Sequence, residues 1–117
     1  MSLIDTNAVI DSLQHDAPRR GAISVLTLLE ILRGVPEGKR AELKTHLEDY
    51  HPVIGLDNDV VIEYCRLFDS LRTDGALIPE ADLIIAATAI SKGLELETAD
   101  QQFTRFLGRG LRLSKQT

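Results

Sequence analysis

The amino-acid sequence predicts one α/β domain in which short parallel strands alternate with helices. Apolar runs at residues 2–5 and 94–98 have the length of buried strands. Between them, apolar residues recur at helical spacing, most clearly over residues 58–72. Strands that are joined through helices usually pair in parallel with right-handed crossovers, so this alternation favours a layered α/β architecture.

The first half of the chain contains short elements. The apolar run at 2–5 predicts the first strand, and a short helix over 8–13 follows it. Pro18 and Gly21 break helix and strand patterns alike, so residues 15–21 are predicted to form a loop. The remaining elements of this half are a strand at 22–24, helices at 25–33 and 37–49, and a strand at 52–55.

The second half contains two strongly apolar helices. Asp57 is a suitable N-cap for a helix over 58–72. The helix over 79–92 begins at a proline, has Gly93 just past its end and is apolar nearly all round, so we expect it to be central and buried. The remaining elements are a strand at 94–98, a short helix at 101–107 and a candidate last strand at 111–113.

The composition is that of a globular protein in a reducing compartment. The 117 residues fit a single domain, which we place at 1–117, and the apolar fraction of 44% is ordinary. The one cysteine, Cys65, excludes an intrachain disulfide and is expected to be a small core residue. The N-terminus lacks the pattern of a signal peptide, and no apolar run reaches the roughly 20 residues of a membrane span. We therefore expect a soluble, cytoplasmic protein.

The charge is unevenly distributed. The net charge of −5 argues mildly against a general nucleic-acid binder, because such proteins are usually basic. After Asp100, however, there are no acidic residues, and the cations Arg105, Arg109, Arg112 and Lys115 follow. This basic end is suited to contact phosphates or an acidic partner, or it is simply a solvated surface, and composition does not decide between them.

Four carboxylates occur where the predicted topology brings elements together. Asp5 lies at the end of the first strand and Asp100 just after the fourth, while Glu30 and Asp82 lie on helices. If the first and fourth strands are neighbours, these groups meet beyond the carboxyl ends of the sheet, where sites form in such folds. Crowded carboxylates raise one another's pKa, and a bound cation removes that cost. Hard oxygen ligands suit Mg²⁺ or Mn²⁺.

Each carboxylate also has an ordinary structural explanation. Asp5 and Asp100 could cap the helices that follow them. Asp82, in a first turn, interacts favourably with the helix dipole. Glu30 could lie on a solvent-exposed strip, although it interrupts an apolar run. The metal site depends on all four side chains pointing to one place, which spacing alone does not establish.

Other chemistries lack a sequence signal. The chain contains no G-x-x-x-x-G-K-[ST] loop, no G-x-S-x-G elbow and no zinc-type Cys/His pattern. His15, His46 and His51 are scattered in polar segments, so we expect them at the surface. Nucleophilic catalysis therefore has no good candidate residue.

Four blocks of the sequence together resemble one known family. In chain order they are LIDTN at 3–7, ISVLTLLE at 23–30, IPEADLIIAATA at 78–89 and LETADQQF at 96–103. The blocks resemble PIN domains, most closely the VapC-type toxins of toxin–antitoxin pairs, and they cover nearly the whole chain. The resemblance implies a three-layer PIN-like fold, with helices flanking a parallel sheet of about five strands in the order 3-2-1-4-5.

The resemblance also implies an Mg²⁺- or Mn²⁺-dependent ribonuclease. The family's catalytic acidic positions are matched, in chain order, by Asp5, Glu30, Asp82 and Asp100. All but Glu30 would be metal ligands, and Glu30 would bind through water or orient the attacking water. Asn7 and Thr98 match polar positions that support the site through hydrogen bonds. Candidates for holding the RNA backbone are Arg33, Arg105 and Arg109.

The same resemblance implies partners. Toxins of this type act on RNA, usually form homodimers and are inhibited by a cognate antitoxin that inserts a segment near the acidic pocket. We therefore expect RNA, an antitoxin and a second copy of this chain as partners, and no membrane. A PIN-type RNA-processing nuclease and a catalytically weak PIN-like binding module remain alternatives. A phosphatase of the haloacid dehalogenase type does not fit, because it needs an aspartate where this chain has Asn7.

Two departures from the family pattern affect the surroundings of the site. The segment at 14–21 is shorter than usual, as if a helix were missing, which puts the wall of the groove and the dimer surface in doubt. Glu97 occupies a position where the central strand normally carries an apolar residue. We expect this side chain either to support the site or to face a partner.

Overall fold

The computed structural model describes residues 1–75 and 78–114. Its parallel strands are β1 (Ser2–Ile4), β2 (Ile23–Ser24), β3 (Val53–Ile54) and β4 (Glu95–Glu97). Its helices are α1 (Thr6–Gln14), α2 (Val25–Arg33), α3 (Glu37–Tyr50), α4 (Asn58–Thr73), α5 (Glu80–Lys92) and a 3₁₀ helix at Gln101–Arg109. Lys115, a member of the predicted basic end, lies outside the described residues.

The strands assemble in the order β3-β2-β1-β4. β1 pairs with β4, and β2 pairs with β3, both in parallel. A bridge between Leu3 and Ala22 joins the two pairs, and the Ile4 N–H donates to the Ala22 carbonyl at 2.9 Å. Leu113 takes the fifth position through a single bridge to Leu96. The parallel α/β fold and its strand order are confirmed, but within the described residues the fifth position is a bridge and not a strand.

Capping residues set the ends of the longer helices. Asp57 accepts a hydrogen bond from the Val60 N–H at 3.1 Å and so caps α4, as predicted. α5 begins after Pro79 and ends at Gly93, which has the left-handed φ of 66° that favours glycine. The helix predicted at 101–107 is a 3₁₀ helix. No helix in the described part of the chain is long and apolar enough to cross a membrane.

α5 lies at the centre of the core, as its apolar composition predicts. Ala86, Ala87 and Ala89 have no exposed surface, and Leu83 and Ile85 are also buried. The small alanine side chains allow close packing with neighbouring elements, while each buried Leu or Ile contributes about 1.5–3 kcal/mol. The rigid seat of α5 fixes the position of its first turn, which lies beside the carboxyl ends of β1 and β4.

Two predictions about burial are wrong. Cys65 is exposed, because α4 buries Val60 and Leu67 and Cys65 lies about 140° around the helix from Val60. His51 is buried, and its Nδ1 lies 2.8 Å from the Gly21 carbonyl oxygen. This contact ties the end of α3 to the loop before β2, which supplies the partner that a buried imidazole needs. The other two histidines are exposed, as predicted.

Candidate metal centre

One cavity lies beyond the carboxyl ends of β1 and β4. It has a volume of about 120 Å³ and is lined by all four predicted carboxylates, Asp5, Glu30, Asp82 and Asp100. The topology explains this meeting, because β1 and β4 are neighbours that end at the same edge, and α2 and α5 pass beside it. Side chains separated by up to 95 residues therefore face one space.

Asp5 has both a structural role and a place in the cavity. Its side chain is buried, and Oδ1 accepts a hydrogen bond from the Ala8 N–H at 2.8 Å, which caps α1. Oδ2 accepts a hydrogen bond from the Thr98 hydroxyl. Burial raises the pKa of Asp5, the hydrogen bonds from Thr98 and Ala8 oppose that rise, and the charges of Asp100 and Glu97 add to it.

The two predicted supporting residues differ in what they contact. Besides donating to Asp5, the Thr98 hydroxyl accepts a hydrogen bond from the Asp100 N–H at 3.0 Å. Thr98 therefore links the two carboxylate-bearing segments that follow β1 and β4. Asn7 lines the cavity, but within residues 1–75 and 78–114 no hydrogen bond joins its side chain to a carboxylate.

Asp100 and Asp82 are held differently. Asp100 caps the 3₁₀ helix, because its Oδ1 accepts a hydrogen bond from the Gln102 N–H at 2.9 Å. Asp82 lies in the first turn of α5 and has no hydrogen-bond partner in the described part of the chain. Burial raises the pKa of Asp82, and the charges of Asp100, Asp5 and Glu30 raise it further. The cavity therefore favours a cation beside Asp82.

Glu30 reaches the cavity from α2 and is oriented by a residue that sequence reasoning missed. The Thr6 hydroxyl donates to Glu30 Oε1 at 2.8 Å, and Thr6 Oγ1 lies 3.0 Å from the buried Thr27 hydroxyl oxygen. The signal was available, because Thr6 directly follows Asp5 in the first sequence block. Arg33 Nη2 lies 3.9 Å from Glu30 Oε2.

The chemistry of these donors fits a hard divalent cation. Carboxylate oxygens suit Mg²⁺ or Mn²⁺, and burial together with the charges of Asp100, Asp5 and Glu30 raises the pKa of Asp82. Among the described residues, however, no three Asp, Glu, His or Cys side chains are grouped as they would be to hold an ion directly. The arrangement therefore suits an ion bound by one or two carboxylates, with water completing its ligand shell.

The three predicted RNA-binding arginines lie in different surroundings. Arg33 is exposed beside Glu30, and Arg105 is exposed on the 3₁₀ helix. Arg109 forms an ion pair with Asp74 and donates to Ser70 Oγ at 2.7 Å. The contacts of Arg109 hold the 3₁₀ helix against the end of α4, so a role at RNA would require this ion pair to open.

The two departures from the expected pattern are in contact with each other. Arg19, from the short segment before β2, donates from Nη1 to Glu97 Oε2 at 2.8 Å. Its Nη2 lies 3.6 Å from Asp11 Oδ2. Arg19 also lines a second cavity of about 480 Å³, which shares Asn7 and Asp100 with the carboxylate cavity. Glu97 thus has a cationic partner, and the short loop supplies it.

Comparison with known proteins agrees with the sequence blocks. The PIN domain family matches residues 2–107 of this chain. "Ribonuclease VapC1" of Methanocaldococcus jannaschii is 30% identical over 115 residues, which cover 95% of this chain and 85% of the relative. The family match at residues 2–107 includes both strand pairs and all four carboxylates.

Solved structures show the same fold. The DNA-bound VapBC of Salmonella typhimurium matches with a TM-score of 0.83 at 23% identity, over 97% of this chain and 98% of that chain. VapBC-5 of Mycobacterium tuberculosis, a member of the VapBC family of toxin–antitoxin systems, matches with a TM-score of 0.70 at 29% identity, over 96% and 98% of the two chains. From the matched sequence and the shared fold we conclude that this chain belongs to the PIN-domain family.

Proposed function

We propose that this chain is a divalent-metal-dependent ribonuclease that hydrolyses RNA phosphodiester bonds. The observation that carries the proposal is the single cavity lined by Asp5, Glu30, Asp82 and Asp100 at the carboxyl edge of β1 and β4. RNA as the substrate is supported by the relative named a ribonuclease, which matches nearly the whole chain. The surplus of negative charge in the cavity supports the requirement for a divalent ion.

In the proposed mechanism, two carboxylates hold the ion directly, and the other two act through water molecules. Asp5 and Asp82 would be the main metal ligands, and Asp100 would hold a metal-bound water or a second ion. Mg²⁺ or Mn²⁺ bound there would acidify water and offset charge on the scissile phosphate. Glu30, held by the Thr6 hydroxyl, orients the attacking water and accepts its proton.

Hydrogen bonds hold the proposed metal-binding carboxylates in position. Thr98 holds Asp5 and the backbone of Asp100 together, so the two residues keep a fixed separation. Arg33 and Arg105 are exposed cations that we propose contact the RNA backbone, with Arg109 joining them when its pair with Asp74 opens. These contacts would counter the repulsion between an acidic protein and RNA.

We further propose that the chain acts in the cytoplasm as the toxin of a toxin–antitoxin pair and forms homodimers. Several structures with this fold are toxin–antitoxin complexes, and VapBC-5 is the more similar in sequence of the two described above. A PIN-type RNA-processing nuclease would use the same chemistry. Co-expression separates the two, because a toxin arrests growth of the host and a neighbouring small gene relieves the arrest.

The site is best tested at Asp82. Asp5→Asn also alters the side-chain oxygen that accepts the Thr98 hydrogen bond, whereas Asp82 makes no hydrogen bond within the described residues. We expect Asp82→Asn to reduce cutting of single-stranded and structured RNA by at least about 100-fold with either metal. The matched control is Asp59→Asn, because Asp59 is an exposed aspartate in the first turn of α4. Equal rates for both variants would refute the assignment.

Calorimetry tests the metal separately from the RNA. The metal-free wild-type protein should bind Mn²⁺, and Asp82→Asn should weaken that binding while Asp59→Asn leaves it unchanged. No heat of binding at millimolar Mn²⁺ would favour the reading of this chain as a PIN-like binding module.

A further inference from the structure

The cavity beside the carboxylates contains a cation that the mechanism above does not use. Among the described residues that line this second cavity, Arg19 is the one that carries positive charge, and Asp11 and Asp100 are the two carboxylates. Asn7 and Asp100 form a wall shared with the carboxylate cavity, so the Arg19 guanidinium lies next to the proposed site of cutting without entering it.

We propose that Arg19 binds a backbone phosphate of the RNA beside the scissile one and so positions the strand over the carboxylates. The inference rests on the proposed ribonuclease function and assigns a substrate-holding residue to it. The second cavity, at about 480 Å³, is four times as large as the carboxylate cavity of about 120 Å³. It therefore has room for a neighbouring nucleotide.

The charge of the site creates a need for such a residue. Four carboxylates face the space that a polyanion must approach, and a divalent ion neutralises only part of their charge. Arg33 lies beside Glu30, but the wall formed by Asn7 and Asp100 adjoins Arg19. A guanidinium at that wall offers hydrogen bonds and charge to a phosphate where the carboxylates offer none.

The contacts of Arg19 hold it in place without exhausting its donors. A guanidinium has five N–H donors, and within residues 1–75 and 78–114 two of its nitrogens face carboxylates, Nη1 at 2.8 Å from Glu97 and Nη2 at 3.6 Å from Asp11. Asp11 at 3.6 Å adds attraction, and 36% of the Arg19 side chain remains exposed. Because Glu97 belongs to β4, which pairs with β1, it fixes the guanidinium on a rigid element. Fixing a donor beforehand lowers the entropy cost of binding a ligand.

A purely structural role for Arg19 makes a different prediction. In that case Arg19 serves only to neutralise Glu97 and to hold the loop, so Arg19→Gln harms the protein by leaving Glu97 unpaired. The double variant Arg19→Gln with Glu97→Gln would then recover, since neither charge is left alone. If Arg19 binds phosphate, the double variant stays defective.

The experiment measures kcat and KM for a fluorogenic single-stranded RNA at saturating Mn²⁺ over a series of salt concentrations. We expect Arg19→Gln to raise KM about tenfold, the low end for a hydrogen bond to a charged group because Arg19 is partly exposed. The slope of log KM against log salt should become shallower by about 0.7, the value for one lost phosphate contact to a single strand. Arg20→Gln is the matched control, because Arg20 is the exposed neighbour with the same charge.

The outcomes test phosphate binding by Arg19 separately from the proposed ribonuclease function. A raised KM and a shallower slope in both Arg19→Gln and the double variant support phosphate binding. A KM equal to that of Arg20→Gln, or recovery in the double variant, overturns it while the ribonuclease function stands. If Arg19→Gln does not fold, Arg19→Lys decides through KM alone, since lysine keeps the charge and the salt slope should not change. A raised KM supports phosphate binding by the guanidinium, and a KM equal to that of wild type overturns it. A wild-type protein that cuts no RNA refutes the ribonuclease proposal and this inference together.

Discussion

Replacing Thr98 by valine should damage both stability and metal binding. Valine has the shape of threonine, so the substitution removes the hydroxyl without leaving a cavity. The substitution removes the hydrogen bond donated to the Asp5 carboxylate and the one accepted from the Asp100 N–H at 3.0 Å. A bond to a charged group is worth about 1.5–3 kcal/mol and a neutral one about 0.5–1.5 kcal/mol, so unfolding should become easier by about 2–4 kcal/mol.

The loss should appear first as a lower Tm. At about 4 °C per kcal/mol for a domain of this size, we expect a fall of about 8–16 °C in metal-free thermal unfolding. Thr104→Val is the matched control, because the exposed Thr104 hydroxyl donates only to the Gln101 carbonyl at 2.7 Å. A surface change of that kind should stay within about 0.5 kcal/mol.

The same substitution should weaken the proposed metal site. A residue that orients a metal ligand typically contributes about 10–100-fold to metal affinity. The Thr98 hydrogen bond lowers the pKa of Asp5, so its loss raises that pKa further. Because a carboxylate binds metal when ionised, Mn²⁺ binding by Thr98→Val should need a higher pH than in wild type. Unfolding and Mn²⁺ affinity that both match those of Thr104→Val would refute this reasoning.

Three further predictions concern the carboxylates and one glycine. Burial and the neighbouring charges raise the pKa of Asp82, so the Asp82 carboxyl binds its proton more tightly in the folded than in the unfolded protein, and stability falls as pH rises above 3.8. Metal-free Asp82→Asn should therefore unfold at a higher Tm than wild type at pH 7, and this difference in Tm should vanish at acidic pH. A difference in Tm that does not depend on pH would contradict this. Mn²⁺ at about 100 times its Kd should stabilise wild type by about 2.7 kcal/mol, an increase in Tm that EDTA reverses and that Asp82→Asn lacks. Gly21→Ala should destabilise the fold by about 1–3 kcal/mol in urea unfolding. Gly21 has a φ of 151°, and a Cβ there would lie 2.7 Å from the Ser2 carbonyl oxygen. An unchanged urea midpoint would contradict this.

Periodicity and capping signals explain why much of the fold could be predicted. α5 is apolar on every face and therefore could only be buried, which placed Asp82 in the first turn of a central helix. Asp57 caps α4 as its position beside an apolar helix indicated. The carboxylates of β1 and β4 meet because parallel strands separated by helices follow few topologies.

What could not be predicted depends on contacts between distant parts of the chain. Arg19 and Glu97 are 78 residues apart, and neither sits in a motif that names the other. His51 looked like a surface residue because its segment is polar, but the Gly21 carbonyl gives its ring a buried partner. Cys65 matched an apolar periodicity on α4, yet only one face of that helix meets the core. The apolar spacing along a helix does not show which of two apolar faces packs against the core.

If Asp5 is a ligand as proposed, the cap that it forms has a practical consequence for obtaining an inactive protein. Asparagine also caps helices well, whereas alanine at a cap position costs about 0.5–2 kcal/mol. Asp5→Asn should therefore leave α1 anchored through the Ala8 N–H, while Asp5→Ala would lose the anchor together with the carboxylate. A genetic selection for inactive clones would recover Asp5→Ala for two reasons, because the variant is less abundant and because it lacks the carboxylate. Biochemists who need an inert, well-folded stock for complex formation should choose the amide.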